Sequence, residues 1–180
     1  MIFRQLEIPD VFEIILDPRI DHRGFFMRTY DVELFKKNGL HREWIQENHS
    51  KSVNTGTVRG LHFQLEPYSE TKLVRCIRGS IFDVAVDVRK NSNTFGKWVG
   101  VELTEENKKM LYIPRGFAHG FCSISEISEV VYKVDNIYSA EHERGIFWND
   151  TDIAINWPVL NPVLSLKDSK NLTLQQYLKQ

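Results

Sequence analysis

Four short stretches of the chain concentrate side chains able to move protons or hold charge. VRGLHFQLEPYSETKLVR (58–75) sets Arg59, His62, Lys72 and Arg75 among apolar residues. IPRGFAHGFCSIS (113–125) puts His119 between small and aromatic neighbours, with Gly116 and Gly120 on either side, so that a ligand or a second backbone can come close. EVVYKV (129–134) carries Tyr132 on one strand face with Val130 and Val134, and SLKDSK (165–170) offers Asp168. Histidine, lysine, tyrosine and aspartate are the residue types of general acid–base chemistry. Each also has an ordinary structural use: a histidine within a strand is commonly a core or surface residue, and Tyr132 in such company reads as a core aromatic. Metal chemistry has less support. Alternate strand positions point into a barrel together, so a metal site there uses two histidines one residue apart, and none of the six histidines stands in an HxH pair.

The elements that must hold these groups are strands. In IFDVAVDV (81–88), Phe82, Val84, Val86 and Val88 alternate with Ile81, Asp83, Ala85 and Asp87, a period of two. KLVRCIR (72–78) alternates less cleanly and meets Gly79-Ser80, a tight turn into the next strand. KWVGVEL (97–103), MLYIP (110–114), GFAHGFCSI (116–124) and EVVYKVDNIY (129–138) follow at strand length. Short strands without intervening helices predict an antiparallel sandwich or barrel. Helical signals are confined to DVELFKKN (31–38), which Asp31 can cap, and to the tail NLTLQQYLKQ (171–180), so both ends are expected to decorate a β core. Asp83 and Asp87 share one strand face, as do Lys72 and Cys76; such polar sets either line a cavity or meet solvent.

Composition narrows the classes. At 180 residues, with 42% hydrophobic and 26% charged, the chain predicts one globular domain spanning 1–180. Lys+Arg number 23 against 24 Asp+Glu, which removes the electrostatic footprint of a nucleic-acid binder. No run approaches about 18 apolar residues, and MIFRQLEIPD lacks the apolar stretch of a signal peptide, so no membrane partner and a cytoplasmic location are expected. Cys76 and Cys122 lie far apart in apolar runs and read as buried thiols in a reducing compartment.

Taken together, RGLHFQ (59–64), KLVR (72–75), FDVAVDVRKNSNTFGKWVGVEL (82–103), IPRGFAHGF (113–121), the YK of 132–133 and NWP (156–158) resemble the dTDP-4-dehydrorhamnose 3,5-epimerases. The likeness runs from DHRGFF (21–26) to the KD of 167–168. It implies an all-β, cupin-like jelly-roll barrel with a few short peripheral helices. It further implies a homodimer that needs no metal or other cofactor and acts on a nucleotide-linked 4-keto-6-deoxyhexose, a small-molecule substrate. By the same resemblance His62 is the base, Asp168 its partner, Tyr132 the opposing acid and Lys72 the group that stabilises an enolate. Arg23 and Arg59 would hold the diphosphate, Gln46 and Asn48 would bind substrate, His119 would lie near the sugar and Tyr138 would stack on the base. Glu143 and Lys167 match further contact positions, and Phe25 and Phe26 would wall the site from the partner subunit.

Three positions depart from the family pattern. The glutamate two residues after Phe26, near the thymine, is Arg28; the Q-D-N stretch is Gln46-Glu47-Asn48; and the Q-G before the lysine is Glu70-Thr71. Arginine can only donate, whereas thymine N3 carries a hydrogen and cytosine N3 accepts one, so a CDP-linked sugar is an alternative substrate. A non-catalytic sugar-binding protein of the same fold is the other reading; it would be expected to have lost His62, Tyr132 or Asp168.

Overall fold

The computed structural model describes residues 1–179. In chain order the strands are β1 (Ile2–Gln5), β2 (Phe12–Ile15), β3 (Arg19–Asp21), β4 (Gly24–Phe26), β5 (Gln46–Ser52), β6 (Val58–Gln64), β7 (Lys72–Arg78), β8 (Ser80–Asp87), β9 (Trp98–Thr104), β10 (Lys109–Ile113), β11 (Phe117–Ser123), β12 (Ser128–Val134) and β13 (Glu143–Gly145). Helix α1 (Val32–Lys37) separates β4 from β5, and a 3-10 turn (Asp168–Lys170) and helix α2 (Leu174–Leu178) follow β13. One sheet has the order β1-β2-β10-β7-β12-β5 and a second the order β13-β6-β11-β8-β9, with antiparallel pairing throughout. The chain crosses between the sheets from β7 to β8 and again from β10 to β11 to β12, and the resulting all-β architecture is a cupin-like jelly roll.

The alternation in β8 explains how its sheet is covered. Ile81 and Ala85 pack between the two sheets with Val74, Leu111, Phe121 and Val130. Val84 and Val86, on the opposite face, pack under Ile146, Ile153, Ile155 and Leu174 from the segment after β13. Both faces are therefore buried, and the polar members of the inner set, Asp83 and Asp87, are fully buried too. Asp87 is satisfied locally by Arg89, Ser92 and Thr94, at 2.6 to 3.0 Å. Lys72 and Cys76 share the inner face of the other sheet: Cys76 joins the core, whereas Lys72 sits at the strand's start, beside a cavity.

The N-terminal part of the chain does more than decorate. β1 and β2 extend the six-stranded sheet, and Ile14 and Leu16 pack with Phe35 of α1, Leu73 and Tyr112 over its outer face. Asp31 caps α1 through the amides of Glu33 and Leu34 at 3.1 and 3.2 Å, as its position suggested. The tail helix is shorter than 171–180: Thr173 and Gln176 form a capping box before Leu174–Leu178, and Gln180 lies outside the described residues. β12 ends at Val134, so residues 135–138 are loop rather than strand. Among the described residues no helix is long and apolar enough to cross a membrane.

Candidate active site

A cavity of about 440 Å³ opens between the two sheets. β6 and β11 of the five-stranded sheet supply Arg59, His62 and His119; β7 and β12 of the other supply Lys72 and Tyr132. His62 and His119 are register partners on neighbouring strands, and strand alternation turns both side chains to the cavity. Glycine makes this pairing tight. A Cβ at Gly60 would lie 2.6 Å from Gly120 Cα, and one at Gly120 would lie 2.8 Å from the Arg59 carbonyl oxygen. The close approach expected beside His119 is thus to a neighbouring backbone.

Asp168 arrives from far along the chain. Val58 N–H donates to the Val163 carbonyl and Val163 N–H to that of Gly56, so residues 163–170 are laid along the start of β6. There the 3-10 turn sets Asp168 Oδ1 2.6 Å from His62 Nε2. Burial alone would raise the Asp168 carboxyl, but hydrogen bonds from His62, the Ser165 hydroxyl and the Gly60 amide outweigh it and hold it below the ordinary aspartate value. With Nε2 committed to a carboxylate, Nδ1 is the ring nitrogen left to take up a proton. His119 has its own buried partner, Asp83 Oδ1, at 2.7 Å from its Nε2.

Lys72 is almost enclosed, with its side chain 10% exposed; its Nζ stands 3.2 Å from Glu70 Oε1 and 5.9 Å from the centre of the Tyr132 ring. Burial, followed by the negative charge of Glu70, pushes the Tyr132 phenol up, and Arg59 only partly opposes this. Tyr132 therefore stays protonated through the neutral range. A second hollow of about 190 Å³ shares His62, Lys72 and Tyr132 and continues to Gln46, Asn48, Tyr138 and Glu143. At its rim Glu143 accepts from Tyr138 Oη at 2.7 Å and from Lys167 Nζ.

The structure thus brings together His62, Lys72, Tyr132, Asp168, Arg59, His119 and Lys167 around the main cavity, and Gln46, Asn48, Tyr138 and Glu143 around its extension. Four expected binding residues stand elsewhere within the chain. Glu47 projects from the other face of β5 and pairs with Lys133, because neighbouring strand residues point oppositely. Arg23 pairs with Asp21 at the exposed β3–β4 turn. Phe26, on the same ribbon, is 69% exposed. Arg28 pairs with Asp31 at 2.8 Å beside α1. Two contributors escaped assignment from sequence. Asp83 was visible as a polar interruption of β8 but had no partner until β11 lay beside it, and Glu70 lies in a connection without periodicity.

The chain is similar to known proteins along nearly all of its length. The family model for dTDP-4-dehydrorhamnose 3,5-epimerase matches residues 5–176. A dTDP-4-dehydrorhamnose 3,5-epimerase of Shigella flexneri is 57% identical over 165 residues, covering 90% of each chain. Among solved structures, the Bacillus anthracis dTDP-4-dehydrorhamnose 3,5-epimerase with TDP and PPi bound is 42% identical with a TM-score of 0.92, covering 96% of this chain and 100% of that one. The Legionella pneumophila dTDP-6-deoxy-D-glucose-3,5-epimerase in complex with dTDP-4-keto-L-rhamnose is 38% identical with a TM-score of 0.91, covering 96% and 92%. With a match along nearly all of its length, the chain is an isomerase belonging to the dTDP-4-dehydrorhamnose 3,5-epimerase family.

Proposed function

We propose that the protein inverts carbon 3, carbon 5 or both of a dTDP-linked 4-keto-6-deoxyhexose by proton transfer through an enolate. The observation that carries this reading is the 2.6 Å pair of His62, on one sheet, with Asp168 of the 3-10 turn, which shares a cavity with Tyr132 and Lys72 of the other sheet. The ketone at carbon 4 acidifies the hydrogens on its two neighbours. His62 Nδ1 takes one such proton, the C–H electron pair moves into the ring, and the carbonyl oxygen becomes an enolate oxygen. Lys72 stabilises that oxygen as a preorganised cation in a water-poor site. Asp168 stabilises the imidazolium as it forms, and Tyr132 returns a proton from the opposite face, which inverts the carbon. Exchange with solvent then resets both groups. Arg59 suits the diphosphate, its guanidinium held by Ser52 Oγ at 3.2 Å and the Lys51 carbonyl at 2.8 Å, and Tyr138 offers an exposed ring to the base.

Homodimer formation is part of the same reading. Ile20, Phe25 and Phe26 are all more than half exposed on the β3–β4 ribbon, and Arg23 and Arg28 accompany them. These residues stand away from their own chain's cavity, so a partner subunit's site is where they would serve. Light scattering should give twice the chain mass; a monomer at micromolar concentration would remove this part. Relatives solved with TDP or a dTDP-sugar bound favour a thymidine base over a cytidine one. The site of action is read as the cytoplasm. The deciding experiment incubates the protein with dTDP-4-keto-6-deoxyglucose in deuterated water and follows the ring by NMR. Deuterium at carbon 3, carbon 5 or both, with inversion, is expected; no exchange would refute the reaction.

A further inference from the structure

Glu70 is built into the site from both of its oxygens. Oε1 faces Lys72 Nζ at 3.2 Å, and Oε2 accepts from Gln64 Nε2 at 3.1 Å. Gln64 in turn donates to the carbonyls of Tyr68 and Ile137 and accepts from the Ser139 amide at 2.6 Å, which ties it to the loop carrying Tyr138. The Glu70 side chain is only 13% exposed and Lys72 only 10%. An ammonium so enclosed needs a compensating charge, and a carboxylate so enclosed is fixed in direction by its partners. We propose that Glu70 is a positioning residue: it anchors Lys72 beside the Tyr132 ring and sets a carboxylate in the hollow that both of them line. The inference rests on the epimerase chemistry proposed above and deepens it.

The charges facing Tyr132 decide the sign. From β6 come Arg59 and His62, from β7 Lys72, from β13 Glu143, and from the connection before β7 Glu70 itself. His119 on β11 and the Asp168 and Lys167 of the 3-10 segment close the far side, while Lys133 on β12 turns away to Glu47. Removing Glu70 takes away a nearby negative charge and leaves Lys72 uncompensated beside the ring. Both changes favour the phenolate, so Tyr132 should release its proton at lower pH.

The test is a pH titration of protein labelled with ¹³C at the tyrosine ζ carbon, followed by NMR, with the Tyr132 signal identified by its loss in Tyr132→Phe. Glu70→Gln removes the charge at nearly constant volume and keeps an acceptor for one of its two donor partners. Its Tyr132 midpoint should fall by about half to one pH unit, and the alkaline limb of the pH–kcat profile should fall with it. Glu70→Asp, which keeps the charge, should stay near the native midpoint. An unchanged midpoint in Glu70→Gln overturns the proposal, as does an equal shift in Glu70→Asp. The titration needs no turnover, so a native protein that exchanges no deuterium would refute the reaction while the midpoints still decide the role of Glu70.

Discussion

Replacing Asp168 with Asn removes one charge at almost constant volume, beside a histidine that becomes positive in the proposed reaction. The carboxylate it removes accepts the 2.6 Å bond from His62 Nε2. With charge centres about 4 Å apart and an effective dielectric near 20, that carboxylate stabilises an imidazolium by about 4 kcal/mol. His62 is 29% exposed, so solvent takes part of that, and about 3 kcal/mol is a fair working figure. At about 1.4 kcal/mol per decade, kcat should fall on the order of a hundredfold. An Asn amide would also donate to Nε2 and push the imidazole proton to Nδ1, the position needed for the base, which acts in the same direction. The substrate does not meet Asp168 through a charge of its own, so KM should move much less than kcat. The assay is deuterium incorporation in single-turnover mode, with a thermal melt alongside. A variant that folds normally and exchanges within about threefold of the native rate would refute the pairing of Asp168 with the base.

Tyr132→Phe should separate two events: His62 can still exchange deuterium on its own face, while inversion falls by at least about a hundredfold, as NMR of recovered substrate will report. Asp87 gives a pH-dependent stability. Burial pushes its carboxyl up, but Arg89, Ser92 and Thr94 outweigh burial and hold it at about 2. Because this value is depressed, the stabilisation is fully present above about pH 4 and is lost as pH falls towards 2. Asp87→Asn should therefore lower stability by about 2 kcal/mol at pH 7 in urea titrations, and the gap should close on acidification. Burial pushes both the Cys76 and Cys122 thiols to about 11, so neither should react with a disulfide reagent at pH 8 until the protein unfolds.

Strand chemistry was readable where alternation was strong. IFDVAVDV announced β8, KLVRCIR coincides with β7, and Asp31 announced α1. β5 was not readable, because QENHSKS at a sheet edge is mostly exposed and has no apolar period to detect. β1 and β2 are four residues each, too short for a period to show, although Ile14 is fully buried. Local pattern could not tell whether Asp83 met solvent or a cavity, since that depends on what covers the sheet. The site itself required resemblance. Asp168 lies 106 residues from His62, and the bridge of Val163 to Thr57 brings its segment back beside β6. Arg23, Phe26 and Arg28 mark the limit of a single chain, because they stand apart from the cavity that gathers His62, Lys72 and Tyr132.

The proposed base and acid ride on different sheets: His62 belongs to β6, and Tyr132 and Lys72 belong to β12 and β7. The gap a sugar ring must bridge is therefore a thickness, set by the apolar layer of Val74, Ala85, Phe121 and Val130 that spaces the sheets like a shim. Of these, Phe121 also lines the cavity, whereas Val74, Ala85 and Val130 do not. A methylene added or removed at those three positions would alter the reach between donor and acceptor without touching either, so the choice of ring carbon is in part a property of the core.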